Sequence, residues 1–351
     1  MKITCEHCGH TAEYDESEIH SHYLMCGDST NPEHVAKLMD GAKADMVFTD
    51  PPYGMKKEND GVLNDNLNYD DLLDFNKKWI PLSFDCLKSN GSWYCWGIDE
   101  PLMDIYANIL KPMIKDSAIT FRNLITWDKG SGQGQLSEDF RMYPVADEKC
   151  LFVMCGHCGF DEKKDNTEIY VPIVNKLREK AKKQNLTAKK MREKIGCSSN
   201  GADHFLNYRI FRFPKKEYYD AWFDDDGYNE LKAEYIAIKQ NHERTKAYFD
   251  NTHDNMNNVW HFERTNVEER KTTGGHATPK PLALCARAIK SSSREYETAL
   301  DLFGGSGSTL VACEQLNRKC YMMELEPQWV DVIINRWETF TGQKAVKLNA
   351  D

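Results

Sequence analysis

Residues 44–55, Ala-Asp-Met-Val-Phe-Thr-Asp-Pro-Pro-Tyr-Gly-Met, constrain the fold more than any other stretch of the chain. Met46, Val47 and Phe48 form a short apolar run bounded by turn residues, the pattern of a strand buried in an open sheet. Pro51 and Pro52 cannot extend a hydrogen-bonded ladder, so the strand stops there and the chain leaves the sheet at its carboxyl edge. Open α/β sheets place their ligands at that edge. The turn carries a carboxylate (Asp50), a carbonyl of fixed direction (Pro51) and an aromatic face (Tyr53). These groups suit a planar amine: Asp50 and the Pro51 carbonyl accept its hydrogens, and Tyr53 stacks on its ring. An Asx-Pro turn closing an ordinary strand is the alternative, and it needs only the first two of these four residues.

The rest of the chain alternates in the same style. Apolar runs at 22–25, 92–98, 118–127, 148–155, 297–303 and 320–323 read as strands. Helical spacing separates most of them, as in Leu72, Leu73, Phe75, Trp79, Leu82 and Phe84. The strand at 148–155 is expected to run antiparallel, as a hairpin partner. Strands and helices alternating on both sides of a polar insertion indicate an α/β fold with a doubly wound, mostly parallel sheet. Residues 128–147, rich in glycine, serine and charge, are expected to form a mobile loop.

After the strand at 297–303 come Gly304, Gly305, Ser306, Gly307, Ser308 and Thr309, then a helix. Glycines let a backbone approach a ligand closely, and amides at a helix start favour negative charge. Glu324 follows about 20 residues later at the end of the next strand, where an acid binds ribose hydroxyls. No lysine precedes Ser308 or Thr309, which excludes a Walker A loop. Leu310 occupies the last position of a G-x-G-x-x-G pattern, which argues against a nicotinamide dehydrogenase.

Residues 161–257 change character, with high charge and several helix-length patterns. Residues 176–194 hold nine basic side chains against two acidic ones. A helix over 186–195, a stop at Gly196 and a second short helix over 200–207 give the outline of a helix-turn-helix. In that reading Lys182, Lys183, Lys189 and Lys190 contact phosphates, while Asn200 and His204 read bases. The alternative is a solvated, charged helical insertion.

The Asp50-Pro51-Pro52-Tyr53 turn resembles the (D/N/S)-P-P-(Y/F/W) signature of the DNA amino-methyltransferases. The stretch Asp301-Leu302-Phe303-Gly304-Gly305-Ser306-Gly307-Ser308 resembles the D-x-F-x-G-S-G-T motif with which that family cradles S-adenosylmethionine, Ser308 standing in place of its threonine. His276-Ala-Thr278-Pro279-Lys280-Pro281 resembles its H-P-T-x-K-P segment, and Cys26-Gly27-Asp28 its Gly-Asp turn. The order, catalytic turn first and donor loop last, is the β-type permutation. The resemblance implies a circularly permuted, seven-stranded, Rossmann-like methyltransferase sheet. Its domains are an N-terminal extension (1–21), a catalytic half (22–160), a target-recognition insertion (161–257) and a donor-binding half (258–351). It implies that Asp50, Pro51, Pro52 and Tyr53 are catalytic. It also implies that Asp28, His276, Thr278, Lys280, Asp301, Phe303, Gly304, Gly305, Ser306, Gly307, Ser308, Thr309 and Glu324 hold the donor.

The expected activity is methyl transfer from S-adenosylmethionine to the exocyclic amine of a flipped base in double-stranded DNA, adenine N6 before cytosine N4. A DNA-binding regulator that keeps the fold without catalysis is the rival from another class, as is a methyltransferase for RNA or for a protein amide. A formal charge of −10 over 351 residues argues against a uniformly basic nucleic-acid binder, but phosphate is gripped by local patches. No apolar run approaches a membrane span or a signal peptide's core, so no membrane association and a cytoplasmic location are expected. A homodimer and a restriction nuclease partner are left open. The twelve cysteines are scattered, and Cys95, Cys150 and Cys313 fall in apolar stretches, as buried reduced thiols do. Cys5 and Cys8, with Cys155 and Cys158, form two Cys-x-x-Cys-Gly knuckles that together have the ligand set of a structural zinc site.

Overall fold

The computed structural model describes residues 2–4, 11–13, 21–55, 64–130, 143–155, 167–196, 203–207, 211–245, 247–253, 256–276 and 278–348. They divide into two compact units, one of Met1–His157 with Ala247–Asp351 and one of Cys158–Lys246.

In the first unit the strands are β1 (Lys2–Thr4), β2 (Thr11–Glu13), β3 (Tyr23–Cys26), β4 (Ala44–Thr49), β5 (Leu87–Gly97), β6 (Ile119–Asp128), β7 (Asp147–Cys155), β8 (Val259–His261), β9 (Thr298–Asp301) and β10 (Lys319–Glu324). The first two pair only with each other. The other eight form one sheet in the order β3-β10-β9-β4-β5-β7-β6-β8. All neighbours are parallel except β7, which runs antiparallel to both β5 and β6. The sheet has one strand more than the seven expected. Val259–His261 is too short to show a period of its own, and it exists only because it pairs with Thr126–Asp128.

The helices in chain order begin with α1 (Pro32–Met39), α2 (Tyr69–Asp85), α3 (Asp99–Ile105) and α4 (Lys111–Lys115). Asn31 caps α1 by accepting from the Glu33 amide, and Asn68 caps α2 by accepting from Asp71. A π turn at Tyr106–Leu110 joins α3 to α4, so together they form one long, interrupted helix. Strand β5 starts at Leu87, five residues before the expected Ser92. Gly91 does not stop the preceding helix; it lies inside the strand at a bulge, where a Cβ would stand 2.8 Å from Leu87 and 3.2 Å from the Asp45 carbonyl. Trp79, Trp93, Leu102, Leu151 and Leu300 lie in the core packed around the sheet.

The second unit contains α5 (Val171–Lys183), α6 (Ala188–Ile195), α7 (Asp203–Leu206), α8 (Lys216–Trp222) and α9 (Tyr228–Thr245). It has its own core, rich in aromatic rings: Tyr170, Phe211, Tyr219, Trp222, Phe223 and Tyr228 beside Ile173, Leu177 and Met191. This unit ends earlier than the expected boundary at 257. Phe249 stacks on Phe152 of β7, and the Asp250 amide donates to the Ser291 carbonyl, so this stretch belongs with the sheet.

The chain returns to the first unit with α10 (Val267–Lys271), α11 (Leu282–Ser292), α12 (Ser308–Gln315) and α13 (Pro327–Thr341). Among the described residues, no helix is long and apolar enough to cross a membrane.

Candidate active site

The sheet order decides what meets at its carboxyl edge. Strands β4 and β9, some 250 residues apart in sequence, are hydrogen-bonded neighbours with Met46 opposite Ala299 and Val47 opposite Leu300. The Asp50 turn and the glycine loop therefore leave the sheet side by side. On the far side of β9, β10 ends at Glu324 and its partner β3 ends at Cys26, next to Gly27 and Asp28. Strand β7 runs the other way, so it brings its first residues, Asp147 and Glu148, to the same edge.

A cavity of about 280 Å³ opens there. Its lining includes Asp28, Asp50, Pro51, Pro52, Tyr53, His276, Thr278, Lys280, Asp301, Phe303, Gly304, Gly305, Ser306, Ser308, Thr309 and Glu324. Those are all the catalytic and donor-site residues expected from sequence except Gly307. Gly307 stands behind the loop with φ +78°, and a Cβ there would meet Ile333 at 3.1 Å.

The Asp50–Tyr53 turn is pinned by a buried acid. The buried Asp65 accepts from the amides of Tyr53 (2.8 Å) and Gly54 (2.9 Å). The Tyr53 hydroxyl donates to Asp50 Oδ1. Lys280 Nζ donates to Asp50 Oδ2 at 2.5 Å and to the Tyr53 hydroxyl at 3.1 Å, and it lies 3.0 Å from Glu148 Oε2. Lys129, just after β6, donates to Glu148 Oε1. Burial pushes the Asp50 carboxyl above the usual carboxylate range, against the pull of the Lys280 ammonium. Burial disfavours the Lys280 ammonium, but Asp50 and Glu148 outweigh it and raise Lys280 above an ordinary lysine.

The loop half is built differently. Glu324 Oε2 accepts from the Gly305 amide (2.7 Å), and its Oε1 accepts from the Glu326 amide (3.0 Å). Asp301 accepts from the Phe303 amide (3.0 Å) and the Thr309 hydroxyl (2.6 Å), and burial pushes its carboxyl up to about 7. Arg336 of α13 supports the loop by donating to the Ser306 carbonyl (2.9 Å) and the Ser308 hydroxyl (3.1 Å). His276 packs edge-on to Trp329 at 4.7 Å, and burial with the nearby Lys280 lowers it to about 4, so it is neutral at pH 7. Asp28 Oδ1 accepts from the amide and hydroxyl of Thr30. Backbone approach at a glycine loop, two acids at neighbouring strand ends and the apolar Phe303 and Leu325 are the chemistry that S-adenosylmethionine, with its hydroxyls, amine and adenine ring, would need.

Three charged lining residues escaped the sequence reading: Glu148, Lys129 and Asp65. An acid heading an otherwise apolar strand was a usable signal for Glu148, because an antiparallel strand presents its start where its neighbours end. Lys280 was expected at the donor; its ammonium is instead engaged by Asp50, Tyr53 and Glu148.

The residues expected on DNA lie in the second unit. Lys182 and Lys183 end α5, Lys189 and Lys190 start α6, and all four are exposed. Helix α6 is capped by Thr187 and closed by Gly196 in the left-handed region, as a helix and its turn should be. Only one turn of the second helix is described, Asp203–Leu206, with His204 half-buried in it; Asn200 lies outside the described residues. Of the proposed zinc ligands, Cys5, Cys8 and Cys158 also lie outside them, as do residues 131–142 of the expected loop. Cys155 ends β7, and among the described residues no group of three or more His, Cys, Asp or Glu stands together as metal ligands. Cys95, Cys150 and Cys313 are buried thiols.

The DNA methylase family, which comprises N6 and N4 methyltransferases, matches residues 44–335. The type II methyltransferase M.HpaI of Haemophilus parainfluenzae is 22% identical over 320 residues, covering 91% of this chain and 75% of its own length. M1.MboII of Moraxella bovis is 23% identical over 293 residues, covering 82% of this chain and 86% of its own. The structure of PvuII DNA methyltransferase, described as cytosine-N4-specific, superposes with a TM-score of 0.51 at 12% identity over 91% of this chain and 89% of that one. That likeness speaks to the Rossmann-like fold. The match across both halves of the sheet makes this chain a member of the DNA methylase family, a site-specific DNA amino-methyltransferase of the β type acting at N6 or N4.

Proposed function

We propose that the chain methylates adenine N6 in double-stranded DNA, with S-adenosylmethionine as donor and the target base flipped into the cavity. The observation that carries this reading is that the Asp50 turn and the glycine loop line one cavity. When bound, the donor supplies an electrophilic methyl group on a sulfonium. Tyr53 offers a face for the base, and Asp50 with the Pro51 carbonyl accepts the two amine hydrogens. Held this way, the nitrogen lone pair is drawn out of conjugation and aimed in line, so the protein acts by orientation and fixed electrostatics. No cysteine nucleophile is needed, and burial pushes the nearby Cys95 and Cys150 thiols well up, which keeps them neutral. The aspartate form of the motif favours adenine, as the family resemblance implies. The test is expression in cells that lack DNA methylation, followed by direct sequencing of modified bases. N6-methyladenine in a fixed sequence context is expected. N4-methylcytosine would move the target to cytosine, and no modified base would overturn the reading.

The second unit is proposed to grip the duplex, with the exposed lysines of α5 and α6 on phosphates. Replacing Lys189 and Lys190 with alanine should weaken binding to all sequences alike and flatten its salt dependence, by about one unit of slope for each phosphate no longer neutralised. Replacing His204 should instead relax sequence preference, since a base-edge hydrogen bond is worth roughly 1–3 kcal/mol of discrimination. Titrations on cognate and scrambled duplexes at several salt concentrations separate the two. An unchanged slope for the lysine pair would make this stretch a solvated helix face.

A further inference from the structure

One half-buried charged group has no task in holding either the amine or the donor. Glu148 lies in the cavity wall, and its Oε2 accepts no well-directed hydrogen bond although it stands 3.0 Å from Lys280 Nζ. The contacts run Asp50–Lys280–Glu148–Lys129, alternating in sign, and draw on four separate segments of the chain. Stability alone is a poor reason for such a quartet. Desolvating charges costs more than most buried pairs return, and apolar side chains of similar size often do better.

We propose that Glu148 is a positioning residue for Asp50: standing 3.0 Å from the Lys280 ammonium, which is hydrogen-bonded to Asp50 at 2.5 Å, it offsets part of that cation's pull on the Asp50 carboxylate. This rests on the methyltransferase reading and deepens it. The Lys280 side chain is only 6% exposed, so solvent does little to weaken its pairing. Without that offset, the full charge of Lys280 would make Asp50 a weaker acceptor for the amine. With no cation, Asp50 would face Glu148 in a buried site and take up a proton. Division of one ammonium between two carboxylates holds Asp50 between these limits, charged and still able to accept. Glu148 is itself suited to this. Burial pushes it up, but Lys280 and Lys129 together hold it below the usual range, so it stays ionised.

The test compares Glu148→Gln with Lys280→Met in the full-length enzyme, reading kcat against pH and donor affinity by calorimetry. Several other groups face Asp50. Tyr53 is on its own turn, Cys95 on β5, Cys150 on β7, Asp301 on β9 and Cys285 on α11. Neutral His276 lies near Lys280. Because burial pushes the Asp301 carboxyl up to about 7, the readout is the displacement of the acid limb between variants rather than its position in the parent. Glu148→Gln should lower kcat by up to ~10²-fold with donor affinity retained. Its acid limb should move to lower pH, because Lys280 is then left to Asp50. Lys280→Met should move the limb to higher pH. A packing defect would lower activity without opposite shifts. If one variant fails to fold, the direction of the other decides, and if neither folds the quartet is a stability element and the proposal is overturned. An unmoved limb with parental kcat in Glu148→Gln also overturns it, while methylation by the parent still stands. A parent that methylates no DNA removes the reading beneath it.

Discussion

Asp50→Ala should abolish methylation while S-adenosylmethionine still binds. Asp50 is the carboxylate proposed to accept from the amine, and its loss removes that directed contact. Losing one such preorganised partner costs around 10² to 10³ in rate. The structure adds a second consequence: Lys280 then keeps Tyr53 and Glu148 as its partners. Donor affinity should survive, because Asp28, Glu324 and the Gly305 amide belong to other strand ends. The pH profile follows with its sign. Asp50 must be ionised to accept, and burial raises its pKa. Turnover is therefore full above that raised value and lost as pH falls through it, at a higher pH than an ordinary carboxylate would set. Near-parental turnover in single-turnover assays would remove Asp50 from the chemistry.

Gly305→Val should have the converse effect, with the donor lost first. Gly305 has φ +52°, a region where a β-branched residue is strained by about 1–3 kcal/mol. A Cβ there would stand 3.2 Å from His276 Nε2, and both residues line the cavity, so the valine methyls have nowhere to go but the donor space. The Gly305 amide also donates to Glu324, and a shift of the loop would break that bond. Calorimetry should find donor binding weakened by about 10- to 100-fold from the strain alone, at 1.4 kcal/mol per decade. Gly305→Ala, which has the Cβ without the methyls, should lie between the two. Parental affinity in Gly305→Val would show that the loop does not hold the donor.

Much of this site was legible before any coordinates because its components are local. A strand that runs into two prolines has to end, and a Gly-Gly-Ser-Gly loop between a strand and a helix has to approach something closely; both follow from backbone chemistry within a few residues. The pairing of β10 with β3 agrees with the circular permutation that the order of the motifs implied, while its register, from Tyr321 opposite Tyr23 to Glu324 opposite Cys26, came from the structure. The second unit was legible only as a helical, basic segment, since its aromatic core draws on residues spread from Tyr170 to Leu231.

Tertiary structure alone decided which charges meet. Lys280 and Asp50 are 230 positions apart, and nothing near either one in sequence names the other. Glu148 reaches the site because β7 is antiparallel, so its first residues lie where its neighbours end; reversing that one strand would carry Glu148 to the opposite edge. Val259–His261 is a strand only through its partner. Local patterns therefore determined the turns, the loop and the sheet that carries them. The ion quartet came from strand order and direction, which are set by packing across the whole sheet.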